Sequence, residues 1–185
     1  MDLGPINHLL QKNYTNIMAE DIVNRVAASK LVTFDLEEYY PEGKRVAIDI
    51  KDWLFEELIL KEKDFRAAVA AHPWQQYQDT YVALFCSTEA IIPAWAYMLI
   101  SSQLQPYAKK VVLGDLQALE TALYETALGN LDPEQFRDKA VIIKGCSHKP
   151  VPPNAYVQAT YILQSVAKSI FYGEACSSVP LFKRK

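Results

Sequence analysis

The sequence predicts an α/β fold: a mixed sheet with a parallel βαβαβα part, strands near 81-86, 110-113 and 140-144, and an N-terminal antiparallel hairpin addition. Three observations carry this. The runs Tyr81-Val82-Ala83-Leu84-Phe85, Lys110-Val111-Val112-Leu113 and Ala140-Val141-Ile142-Ile143 are apolar without alternation, the pattern of strands covered on both faces. Segments of helical character separate and follow them, which parallel strands need in order to connect. Upstream, Leu31–Leu36 and Arg45–Ile50 are rich in β-branched residues and are separated by Pro41 and Gly43, the ingredients of a hairpin turn.

Taken in order, residues 1–17 hold Gly4, Pro5 and several asparagines without sustained periodicity. They are expected to be a disordered extension, with Met18 a candidate true start and 18–185 a single domain. Ile22, Val23, Val26 and Ala27 recur at helical spacing opposite Glu20, Asp21, Asn24 and Arg25, predicting a short amphipathic helix. After the hairpin, Trp53–Leu60 fits a third strand or a helix. Asp64 is suited to capping a short helix through Ala71, because its carboxylate can accept the free amide hydrogens of a first turn; His72-Pro73 ends that helix. Helices are then expected over Ala90–Gln105, Asp115–Leu128 and Asn154–Tyr172. The second carries Leu116, Leu119, Leu123 and Ala127 on one stripe and stops at Gly129-Asn130.

At 185 residues the length fits one domain, able to bury about two-thirds of its unfolded surface. Half the residues are hydrophobic and 22% are charged, ordinary globular usage. A net charge of -3 offers no basic footprint for phosphate backbones, which argues against nucleic acid as a partner. The longest apolar run, Ala90–Ile100, is broken by Pro93 and falls short of the roughly 20 residues a bilayer requires, so no membrane partner is expected. No signal peptide pattern opens the chain, and three widely spaced cysteines do not form a disulfide framework; a cytoplasmic protein with reduced thiols is expected.

The chemistry-bearing positions are Cys86, Cys146 and Cys176, each followed by serine. Cys86 and Cys146 end predicted strands, and binding sites of open parallel sheets lie outside those ends. With His148 the three thiols make up the ligand inventory of a zinc site; an added carboxylate, Glu89 or Asp115, would suit an iron–sulfur cluster. Thiolates favour such ions because they are charged and polarisable, and nearby amides lower thiol pKa. Ser87, Thr88 and Ser147, with adjacent backbone amides, could cradle a small anion. Two other readings stand beside this one. Buried, inert cysteines would fit a non-enzymatic interaction protein that self-associates through an apolar face. An enzyme acting on a small anionic substrate would use Cys86 or Cys146 as nucleophile, but the sequence supplies no well-placed base.

The stretch Asp21–Arg45, with its Thr33-Phe34-Asp35-Leu36-Glu37-Glu38-Tyr39-Tyr40-Pro41-Glu42-Gly43 phrase, together with Lys144-Gly145-Cys146-Ser147 and Gly173-Glu174-Ala175-Cys176-Ser177, resembles a bacterial family catalogued only as a domain of unknown function. The similarity runs from about Met18 to the C-terminus. It implies an association with iron–sulfur assembly proteins and hence a thiol or metal accessory role. It carries no established catalytic residue and no defined cofactor.

Overall fold

The computed structural model describes residues 31–145 and 148–185. Seven strands and four α-helices are found among them, and the strands form two sheets, not one. The three-stranded sheet has the order β2 (Arg45–Asp49), β3 (Tyr81–Phe85), β4 (Lys110–Leu113), all parallel. The four-stranded sheet has the order β1 (Leu31–Asp35), β5 (Ala140–Lys144), β6 (Ser169–Glu174), β7 (Ser177–Lys183). In it β5 and β6 are parallel, and β6 and β7 form an antiparallel hairpin.

The two central strands explain the apolar runs. Val82, Ala83 and Leu84 of β3 are all buried, as are Val141, Ile142 and Ile143 of β5. In β3 alternate side chains serve opposite layers. Val82 and Leu84 join Phe65 and Val69 of α1 (Glu62–Ala71) and Ala96, Ile100 and Leu104 of α2 (Ala94–Leu104), so both crossover helices cover one face. Ala83 points the other way, to Leu119 and Leu123 of α3 (Leu116–Gly129).

Helix α3 belongs to both sheets. Its Tyr124 and Leu128 enter a separate core with Phe34, Val141, Ile143 and Ile170, completed by Ala155, Ala159 and Leu163 of α4 (Pro153–Gln164). Its start is fixed by Asp115, whose carboxylate accepts the Ala118 amide hydrogen at 2.8 Å. A bidentate ion pair, Arg45 on β2 with Glu120 on α3, fastens helix to sheet. Residues Val32–Lys185 group as one compact unit.

The α/β class and the parallel strands are as expected, but the grouping is not. Leu31–Leu36 and Arg45–Ile50 do not form a hairpin; they lie in different sheets. The Asp35 carboxylate accepts the Glu37 amide hydrogen at 3.0 Å, turning the chain into a 3-10 helix, Leu36–Tyr39, whose Leu36 is buried. The connection Leu36–Lys44 is also longer than the roughly 2–5 residues of ordinary hairpins. Strands 81-86, 110-113 and 140-144 do not share one sheet, since the third lies in the four-stranded one. The antiparallel pair is at the C-terminus: the last helix ends at Gln164, and Ile170, Phe171 and Tyr172, expected to extend it, form β6. Trp53–Leu60 is neither strand nor long helix but a turn closed by a bridge between Phe55 and Ile59. The expected extension 1–17 and the helix near Glu20 lie outside the described residues.

Candidate functional site

The parallel pairing of β5 with β6 puts their carboxyl ends at one rim, where Ile143 sits level with Tyr172. Asp35, at the end of the neighbouring β1, pairs with Lys144, at the end of β5, at 3.1 Å. Beyond these ends a cleft of about 290 Å³ is lined by Asp35, Glu37, Lys144, Gly145, His148, Tyr172, Gly173 and Glu174.

Each wall has a local cause. Gly145 lies where side chains crowd in: a Cβ there would be 3.1 Å from both Leu36 Cβ and Tyr156 Oη. The Tyr156 hydroxyl donates to the Gly145 carbonyl at 2.8 Å, and its ring meets Tyr172 edge to face at 5.8 Å. The His148 amide donates to Glu37 Oε1 at 3.2 Å, tying the loop after β5 to the turn after β1. Lys149 is held by Glu42 at 2.6 Å and lies over the Tyr40 ring. Gly173, at φ +108°, lets β6 continue to Glu174 in a conformation other residues resist; Ala175 and Cys176 then form the turn to β7.

The cleft carries more acidic than basic side chains. Three carboxylates, Asp35, Glu37 and Glu174, face one lysine and one imidazole. The lysine is engaged: its hydrogen bond to Asp35, and then that group's charge, raise the Lys144 pKa above the ordinary lysine range.

His148 therefore lines the cleft, and Cys176 is exposed in the turn immediately beyond Glu174. Cys146 and Ser147 lie outside the described residues. Cys86 belongs elsewhere, at the end of β3 in the three-stranded sheet, half-buried with Sγ 3.3 Å from Thr88 Oγ1. Its loop is occupied by protein partners. The Ser87 amide donates to Asp49 Oδ1 at 3.1 Å, and the Thr88 hydroxyl donates to the Glu57 carbonyl at 2.7 Å. Burial raises the Asp49 pKa, but hydrogen bonds from Ser87 and the Lys51 amide outweigh this and hold it below the usual carboxylate range. Helix α2 begins only at Ala94, so Ser87-Thr88-Glu89 does not cap it.

Among the described residues no three His, Cys, Asp or Glu side chains form a group able to hold a metal ion. Asp35, Glu37, Lys144 and Glu174 were not distinguishable from surface charge by residue type. Their signal was position, each lying at or just past a strand end.

Among the described residues no helix is long and apolar enough to cross a membrane. A family model described as "Protein of unknown function (DUF2480)" matches residues 20–184. No curated protein and no solved structure matches the chain.

Proposed function

We propose, from the premise that the chain belongs to the DUF2480 family of proteins of unknown function, that it is a metal- and thiol-handling accessory protein acting at the rim beyond β1, β5 and β6. The observation that supports this reading is the position of two of the predicted ligands at one rim: His148 lines the cleft, and Cys176 is exposed in the turn just beyond Glu174, another lining residue. The segment bearing Cys146 joins two lining residues, Gly145 and His148, and Cys176 follows a third, Glu174, by two positions. Nitrogen and sulfur donors beside carboxylates suit a borderline ion such as zinc, or an iron–sulfur cluster in transit. His148, Cys146 and Cys176 are the proposed ligands, and Cys86 is not one of them. An accessory role in iron–sulfur assembly, in the cytoplasm, is the setting this reading favours over catalysis. Among the described residues the Cys86 thiol has a hydrogen bond with the Thr88 hydroxyl and none with an imidazole or carboxylate that would activate it.

The test is metal analysis of protein purified anaerobically without a metal-affinity step. The wild type and Cys86→Ser are expected to carry stoichiometric zinc or iron, while His148→Gln, Cys146→Ser and Cys176→Ser lose most of it. Metal-free wild type, or equal loss in Cys86→Ser, refutes the assignment.

A further inference from the structure

We propose that the turn Phe55–Ile59, with Ile91 and Trp95, is a docking face for a segment of another protein that presents apolar side chains flanked by lysines or arginines. This face lies on the three-stranded half and is independent of the rim described above.

The turn displays what a folded chain ordinarily hides. Ile91 is 93% exposed, Leu58 54% and Ile59 53%, and Leu58, Ile59, Ile91 and Trp95 line one open groove of about 630 Å³. The display is structurally enforced. Glu56 and Glu57 are consecutive non-glycine residues at φ 51° and 58°, a left-handed conformation costing on the order of 1 kcal/mol each. The bridge between Phe55 and Ile59 closes the turn, and the Thr88 hydroxyl clamps Glu57 from the loop that leads to Ile91. Burial of Leu58 and Ile59 within the chain does not offset that strain, because both stay outside. Trp95 is braced from within by Phe65, ring centroids 5.8 Å apart and nearly perpendicular.

Charge selects the occupant. Glu62 and Glu89 line the groove, and Glu56 and Glu57 sit on the turn itself. Arg66 pairs with Glu62 at 2.9 Å, so those two charges offset one another, and Lys61 Nζ lies 3.0 Å from the Phe55 ring centroid; Glu56, Glu57 and Glu89 supply the excess negative charge of the face. A second copy meeting this face about a twofold axis would set the same carboxylates against each other, and an anionic membrane would be repelled. A basic, apolar protein segment satisfies both the groove and its rim.

The probe is a short amphipathic leucine/lysine peptide, compared with a leucine/glutamate peptide of the same apolar pattern. Binding to the full chain is followed by tryptophan fluorescence and calorimetry. The basic peptide is expected to bind and the acidic one not. The double variant Leu58→Ser/Ile91→Ser should weaken binding about tenfold or more. Glu57→Gln/Glu89→Gln should weaken it severalfold and flatten its salt dependence. Because all four positions lie on the surface, unchanged circular dichroism and unfolding midpoint establish that the variants fold. Four results overturn the proposal: equal binding of both peptides, variants that bind like wild type, a solution dimer dissolved by Leu58→Ser/Ile91→Ser, or binding of anionic vesicles through this face. A photo-crosslinker at Ile59 that couples to residues 1–30 of its own chain would also overturn it.

Discussion

The ion pair between Arg45 and Glu120 is predicted to be a principal tie between the two cores. Its side chains are only 11% and 14% exposed. Arg45 Nε donates to Glu120 Oε1 at 2.7 Å and Nη2 to Oε2 at 3.2 Å, a bidentate fork, while Nη1 donates to the Gly43 carbonyl at 2.6 Å. The guanidinium also lies 4.2 Å from the ring centroid of Tyr40, which packs against the four-stranded core, and 5.2 Å from that of Tyr81, on the three-stranded sheet. Burial works against the Arg45 charge, but the Glu120 hydrogen bond and charge outweigh it and hold the pKa above the ordinary arginine value. Arg45→Met would strand a largely buried carboxylate, and removing one partner of such a pair costs about 3–5 kcal/mol. For a domain of this size that is a fall in Tm of about 10 °C. Arg45→Met/Glu120→Leu removes both charges and should recover to within about 1 kcal/mol of wild type. Urea unfolding measures this with two probes. Fluorescence reports the three-stranded half, since Trp53, Trp74 and Trp95 all belong to that core, and far-UV circular dichroism reports both halves. A cost below about 1 kcal/mol for Arg45→Met, or a double variant as unstable as the sum of the singles, refutes the reasoning.

Two further outcomes follow from local geometry. Gly114 sits at φ +136°, and a Cβ there would lie 2.6 Å from Ala118 Cβ, so Gly114→Ala should destabilise by about 2–3 kcal/mol in urea unfolding. An unchanged midpoint would show that the start of α3 shifts freely. His72 is packed among Trp53, Trp74 and Tyr77, its Nε2 2.8 Å from Tyr77 Oη, and burial lowers its pKa. A depressed folded-state pKa means the unfolded chain binds the proton more readily. The stability His72 contributes is therefore complete above the unfolded value near 6.5 and is lost as pH falls towards its lower folded value. Unfolding midpoints from pH 7.5 downward should fall less steeply in His72→Gln than in wild type; parallel profiles would exclude His72 as a source of the dependence.

What the sequence made legible, and what it did not, divides along physical lines. Strands β3 and β5 were readable because an unbroken apolar run is what burial on two faces demands, and α3 because Asp115 and Gly129 mark its ends; β4 was readable from its short apolar run although it is an edge strand with no buried residue. Sheet membership was not. Arg45–Asp49 reads the same whether it pairs with β1 or β3; the outcome depends on the turn that Asp35 imposes and on which partner comes within reach. Tyr124 and Leu128 lie off the stripe shared by Leu119 and Leu123, yet a helix wedged between two sheets needs two apolar faces. At the candidate site, His148 and the cysteines were visible through their side-chain chemistry. Glu37 and Glu174 gained interest only when the fold brought three strand ends together.

The order β1-β5-β6-β7 has a consequence for how this polypeptide is assembled. The segment from β2 through α3 is continuous and holds all three strands of its sheet, so it can organise from neighbouring pieces as it emerges. The other sheet draws β1 from before that segment and β5, β6 and β7 from after it, which makes it the slow, high-contact-order step. A chain released before β5 would therefore leave β1 without its strand neighbour and one flank of α3 bare. Such a truncated product is expected to be cleaved by protease faster than the full chain.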